Sequence, residues 1–214
     1  MLTVLSVLRS GGPYDETWVS KLKRGVARHL SVPHRFACLT DVPVADVDHC
    51  YKLEHDWPGW WAKIEIFRPG VVSGPTLYLD LDTVLVGSID ALADLPYDFA
   101  MMRNLMNAYM PGSAVMWFKE KAPHHVYQEF SESAEMWMRE LKEGAHDSYR
   151  GDQAFIWECM HRKVDYFTDA LPNIVRSYRR HCMAGIPSGC SVVAFGGSAK
   201  PNKTDAAWVK EAWA

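Results

Sequence analysis

Apolar positions recur along this chain with two alternating periods, one suited to buried strands and one to amphipathic helices. Leu2 to Val7 is an apolar run of strand length, closed by the tight loop Arg9-Ser-Gly-Gly-Pro-Tyr14. Trp18, Leu22, Val26 and Leu30 then fall every fourth residue, the spacing of a helix with one buried face. The opening therefore predicts strand, glycine loop and helix. Arg35 to Leu39 and Val47 to Leu53 read as extended segments, and Trp60, Ile64 and Phe67 as one face of a short helix stopped by Pro69 and Gly70. Pro75 to Asp80 is the strongest strand signal, because an apolar run ends abruptly in carboxylates that a buried strand would not tolerate. Phe99 to Met102 and Ser113 to Phe118 predict two more strands. A long amphipathic helix through Val126, Phe130, Trp137 and Leu141 comes next, and a shorter helix follows Asp152. Ser191 to Phe195 reads as a last strand running into Gly196-Gly197, and Thr204-Asp205 as the start of a final helix carrying Trp208 and Trp213. Alternation without a linker or repeat predicts one α/β domain over residues 1–214, a mostly parallel central sheet flanked by helices.

Composition narrows the function classes. The 214 residues are 48% hydrophobic and 23% charged, which excludes disorder, collagen-like repeats and coiled coil. Lys+Arg 23 against Asp+Glu 26 gives a net charge of -3, so no basic footprint points to nucleic acid. The apolar start lacks a basic leader and a cleavage site, and Arg9 ends it too early for a membrane span. The five cysteines lack CxxC spacing and predict buried, reduced thiols in a cytoplasmic protein rather than a zinc ribbon or disulfide framework. Nine Trp and nine Tyr suit a filled core, with some left to line a groove.

The chemistry centres on Asp80-Leu81-Asp82 at the C-terminal end of the strongest strand, the edge where open α/β sheets bind ligands. Alternate residues of an extended segment point the same way, so both carboxylates would reach one hard cation. Mg²⁺ or Mn²⁺ suits a site with few protein oxygens whose remaining positions are filled by phosphate and water. The implied substrate is a metal-bound diphosphate. Two other readings stand beside it: a solvated strand end, and a phosphatase of the haloacid dehalogenase type. Asp80-Leu-Asp-Thr-Val84 matches that type's Asp-x-Asp block, with Asp80 as nucleophile. That block normally opens its domain, whereas about 80 residues precede it here, and the later acidic motif is not evident after Gly151-Asp152.

Six segments, in order, resemble GT-A glycosyltransferases of the family 8 type. Leu77-Tyr-Leu-Asp-Leu-Asp-Thr-Val-Leu-Val86 resembles that family's Tyr-Leu-Asp-x-Asp block, and Ile89-Asp90-Ala-Leu92 the element after it. Trp61-Ala-Lys63-Ile-Glu-Ile-Phe67 is similar to the helix that carries a basic residue toward the donor. Pro111-Gly-Ser-Ala-Val-Met116 resembles the family's small-residue strand, and Gly151-Asp-Gln153 its Asp-Gln element. Ala194-Phe-Gly-Gly197-Ser-Ala-Lys200-Pro201 resembles the His-Phe-x-Gly-x-x-Lys-Pro signature.

The resemblance implies a hexosyltransferase that uses a nucleoside-diphosphate sugar, a UDP- or GDP-sugar, with retention at the anomeric carbon. The acceptor would be a saccharide, a lipid-linked group or another hydroxyl. Asp80 and Asp82 would hold Mn²⁺ or Mg²⁺, and Asp80 and Leu81 would also border the donor. Leu8, Arg9, Ser10 and Tyr14 would form the nucleotide site, with Tyr14 stacking on the base. Lys63 would approach the diphosphate or donor sugar, and Lys200, beside the Gly196-Gly197 turn, would clamp the β-phosphate. Arg103 would approach the donor or Asp152, and Asp152 and Gln153 would lie near the anomeric carbon. Asp152 also reads as a plain helix N-cap. One departure stands out: the family's third metal ligand, a His, is Ala194 here, and Gly196 on the same strand face is not His either. His181 is a candidate substitute or a phosphate contact. A relative that binds donor or glycan with little turnover is therefore a competing expectation.

Overall fold

The computed structural model describes residues 1–142 and 149–214. The opening is as the periodicity predicts. Strand β1 (Leu2–Leu8) leads through the glycine loop into helix α1 (Glu16–His29). Asp15 caps this helix by accepting from the Thr17 amide at 3.0 Å, Glu16 lies in the first turn, and Arg28 and His29 lie in the last, matching the helix dipole at both ends. Strands β2 (His34–Thr40) and β3 (His49–Lys52) follow. After a 3₁₀ helix over Gly59–Phe67 come β4 (Thr76–Leu79), β5 (Thr83–Leu85), β6 (Phe99–Arg103) and β7 (Pro111–Phe118). The rest comprises α2 (His125–Glu132), α3 (Ala134–Glu140), α4 (Gly151–Cys159), β8 (Asp165–Tyr166), α5 (Phe167–Ala170), β9 (Val175–Ser177), β10 (Val192–Ala194) and α6 (Ala207–Ala212).

Seven strands form the main sheet in the order β3-β2-β1-β4-β7-β6-β8. All its neighbours run parallel except β4 with β7 and β6 with β7. A small sheet, β5-β10-β9, begins where the chain leaves β4. Side-chain alternation sends Leu77 and Leu79 to one core, with Trp18, Leu22 and Val26 of α1, and Tyr78 to the other, with Ile64, Phe67, Phe130 and Phe155. Among the described residues no helix is long and apolar enough to cross a membrane.

Three expectations are corrected. The long helix through Val126 and Leu141 is two, broken at Ser133, whose φ of -146° and ψ of 35° are not helical. The Ser133 amide closes the first helix on the Phe130 carbonyl, and its hydroxyl does not cap the second. The final helix begins at Ala207 rather than at Thr204-Asp205, and Trp213 lies just past its end, edge-on to Trp18 at 4.7 Å. The segment Gly59–Phe67 is 3₁₀, and its period of three separates the residues that an α period would align. Ile64 and Phe67 are fully buried, while Trp60 is 41% exposed and lies in register with Lys63. That shift carries Lys63 into the site.

Candidate active site

The parallel strands β1 and β4 end at one edge of the main sheet, and the chain crosses to the small sheet through Asp80–Thr83. This crossing is a tight turn: the Thr83 amide and hydroxyl donate to the Asp80 carbonyl at 3.0 and 2.7 Å. The sequence reading of an extended segment with both carboxylates on one face is therefore corrected. Strand geometry stops at Leu79, and each aspartate has its own partners.

Asp80 belongs to the side holding the 3₁₀ helix and α4. Lys63 Nζ, on a side chain only 7% exposed, lies 2.9 Å from Asp80 Oδ1, 3.0 Å from Asp152 Oδ2 and 3.0 Å from Ser113 Oγ. Ser113 in turn donates to Asp152 Oδ2 at 2.5 Å, and the Tyr78 hydroxyl donates to Asp80 Oδ1 at 2.5 Å. Burial alone would lower the Lys63 pKa, but the carboxylates of Asp152 and Asp80 outweigh it and hold the ammonium above its usual range. Tyr78 is pushed well above the ordinary phenol value by burial and by the Asp80 charge, so it stays a donor. A register shift between Met101 and Met102 pairs Met102 with Gly112, leaving Ser113 to turn toward Lys63.

Asp82 has a different set of partners, from the loop before α1 and the segment after β10. Lys200 Nζ lies 2.5 Å from its Oδ2 and 2.7 Å from the Tyr14 hydroxyl, which itself donates to Asp82 Oδ2 at 2.9 Å. Burial and the neighbouring Asp80 charge raise the Asp82 pKa, against the opposing pull of Lys200 and Tyr14. Tyr14, expected to stack on a base, presents its ring to Trp18 and Lys200. Burial, then the Asp82 charge, raises its phenol far above the ordinary value.

The remaining expected residues separate into those at this edge and those elsewhere. Leu8 and Leu81 are buried in the core, so only their main chains can face a ligand. The register of Leu8 with Thr40 sets the next residues, Arg9 and Asp41, side by side. Asp41 ion-pairs with Arg9, accepts from the Ser10 amide at 2.8 Å and accepts from its hydroxyl at 2.5 Å. Arg103 does not reach Asp152. It forks onto Asp169 at 2.5 and 2.6 Å and stacks over Tyr166 at 4.1 Å. Asp152 is not an N-cap, since Arg150 holds that position and Asp152 lies just inside α4, with Gln153 beside it. Gly197 has φ +63° and lies against Arg179. Ala194 is opposite Thr83 in the β10–β5 ladder, which puts a methyl group where the motif's imidazole was expected. His181 accepts from the Ser177 amide at 3.2 Å. Among the described residues no group of three His, Cys, Asp or Glu side chains is arranged to hold a metal.

Sequence reasoning missed Ser113, Tyr78 and Asp41 as partners. Asp41 carried a usable signal, as the first carboxylate after the strand beside β1. Gly151 was also missed as a structural requirement: its φ is +69°, and an added Cβ would come within 3.0 Å of Trp60 Nε1. Gly151→Ala should therefore lose about 1–2 kcal/mol by strain and displacement of the indole. Urea unfolding checks this, and wild-type stability in the variant would show that the backbone there relaxes freely.

The chain matches no family model, and no curated protein matches it. Solved structures do share its fold. The galactosyltransferase LgtC, solved in complex with donor and acceptor sugar analogues, superposes with a TM-score of 0.69 at 14% identity over 99% of this chain and 95% of its own. The glycosyltransferase GlyE of Streptococcus pneumoniae TIGR4 gives 0.69 at 15% identity over all of this chain, which spans 60% of GlyE. The bifunctional protein WbbM gives 0.59 at 12% identity over 95% of this chain and 47% of its own. The chain therefore has the GT-A fold that the six segments implied. The phosphatase reading fails on the same ground: the carboxylate-bearing strand is the fourth of this architecture rather than its first.

Proposed function

We propose that this chain is a glycosyltransferase that moves a hexose from a nucleoside-diphosphate sugar to a hydroxyl acceptor, with residues 1–214 acting as one domain in the cytoplasm. The observation that carries the reading is the Asp80–Lys63–Asp152 cluster at the ligand-binding edge of a GT-A fold. Structures of low sequence identity share only the fold, so the activity rests on these side chains.

Cleavage at the anomeric carbon leaves negative charge on the diphosphate, and fixed positive groups there lower the barrier. Lys63 is held in place by three acceptors, so it needs no reorganisation to meet that charge or a sugar hydroxyl. Asp80 is the most exposed member, with 26% of its side chain accessible, and is the natural contact for the ribose or sugar. Asp152 orients Lys63 and lies beside Gln153 at the start of α4, where both would border the reacting carbon. Leu8, Arg9 and Ser10, braced by Asp41, would receive the nucleotide. Retention of configuration fits the absence of an isolated carboxylate base from this arrangement, since Asp80, Asp82 and Asp152 are each bound to a lysine.

Mn²⁺ or Mg²⁺ at Asp80 and Asp82 is the part of the sequence reading that the side chains fit least well. Each carboxylate has an oxygen committed to an ammonium, and Ala194 offers no third ligand.

A thermal-shift panel of UDP- and GDP-sugars tests the donor class, because a ligand that binds only the native state raises Tm. At least one donor should raise it by several degrees. No shift with any nucleotide sugar, in Mn²⁺ or in EDTA, would remove the reading.

A further inference from the structure

Lys200 closes one wall of a cleft of about 300 Å³ that is also lined by Tyr178, Arg179, Lys203, Thr204 and Asp205. Three of these side chains are cationic. The single carboxylate, Asp205, pairs with Lys210 at 3.2 Å, which draws its charge away from the others. The walls are braced: Tyr178 stacks on Phe195 at 4.4 Å and its hydroxyl meets Thr204. Arg179 lies beside Gly197, whose φ of +63° favours glycine. On the inner side of the cleft, Lys200 sits on Asp82, as a cation would.

We propose that Lys200, supported by Arg179 and Lys203, takes over the charge-neutralising place of a divalent ion, so that this chain binds the donor diphosphate without metal. This rests on the donor class proposed above. A Mg²⁺ or Mn²⁺ ion bridging to the diphosphate would need carboxylate oxygens that are not held by ammonium groups. Here the turn at Asp80–Thr83 gives the carboxylates separate partners, and Lys63 and Lys200 already offset two of the three charges on Asp80, Asp82 and Asp152. The diphosphate has a ready set of cations instead, two of them exposed and one held on a short tether to Asp82. Asp82 then competes with phosphate for Lys200 rather than recruiting a metal to it.

Calorimetric titration of UDP and GDP, each in EDTA and in Mn²⁺, separates the possibilities. The dissociation constant of the bound nucleotide should agree within about threefold between the two conditions. Lys200→Met should weaken it by about tenfold or more, the loss expected for a charge-assisted contact. Asp82→Asn should bind as well as wild type or more tightly, because its carboxylate no longer holds Lys200. That variant keeps the test open if Lys200→Met fails to fold. Binding that requires Mn²⁺, or that is lost in Asp82→Asn, would overturn the inference while leaving the donor class standing. No binding of either nucleotide in any condition would overturn both.

Discussion

Replacing Lys63 with Met should cost about 3 kcal/mol of stability, a fall in Tm of roughly 10 °C for a chain of this size. The cost comes from the anions left behind. Asp152 has 8% of its side chain exposed, and its Oδ2 would keep only the Ser113 hydroxyl of the two donors it now shares. Asp80 would keep Tyr78 but lose the buried Lys63 ammonium. The second change Asp152→Asn should recover most of the lost stability, because a neutral amide no longer needs an ammonium. Thermal unfolding of the two single variants and the double variant measures this. An additive double variant would mean that the loss came from packing under Tyr78 and not from stranded charge.

Asp152→Asn alone should lower glycosyl transfer by a hundredfold or more, on the order expected when one fixed charge is removed beside the reacting atoms. Nucleotide affinity should change little, because the nucleotide would rest mainly on Arg9, Ser10 and the cationic cleft, whose lining includes no residue of α4. The variant should still fold: the introduced amide can accept from Ser113 through its carbonyl, and Lys63 keeps Asp80. Separate measurement of nucleotide Kd and turnover distinguishes this role from a structural one. Equal losses in both would identify Asp152 as a support for the whole edge.

The fold was legible wherever burial writes a simple period. β1, α1 and β4 stand out because one face, or both faces, of each meets a core. The 3₁₀ helix was not legible, since Trp61 to Phe67 are all buried and leave no one-sided pattern from which a period of 3.0 could be told from one of 3.6. That small difference decides which residue accompanies Lys63. The break at Ser133 hid within an apolar spacing that both short helices satisfy. At the site, the residue types and their sheet edge could be read from the motifs, but the pairing could not. Lys200 and Asp82 are 118 residues apart, and only the crossing from the main sheet to the small one brings them together. Nothing in the apolar run before Asp80 marks that the strand ends one residue earlier and turns, and the two carboxylates take different lysine partners. Arg103 was misread for a similar reason: its partner Asp169 lies 66 residues onward, on α5.

The most direct test follows the anomeric proton signal of UDP-glucose, UDP-galactose and GDP-mannose by NMR, with wild-type protein and with Asp152→Asn. Wild type should consume at least one of these donors, release the nucleoside diphosphate and yield free or transferred hexose in the donor's own anomeric configuration, while the variant leaves that donor essentially intact. Donors that persist unchanged with wild type, or that disappear equally fast with Asp152→Asn, would contradict the assignment of glycosyl cleavage to the cluster around Lys63.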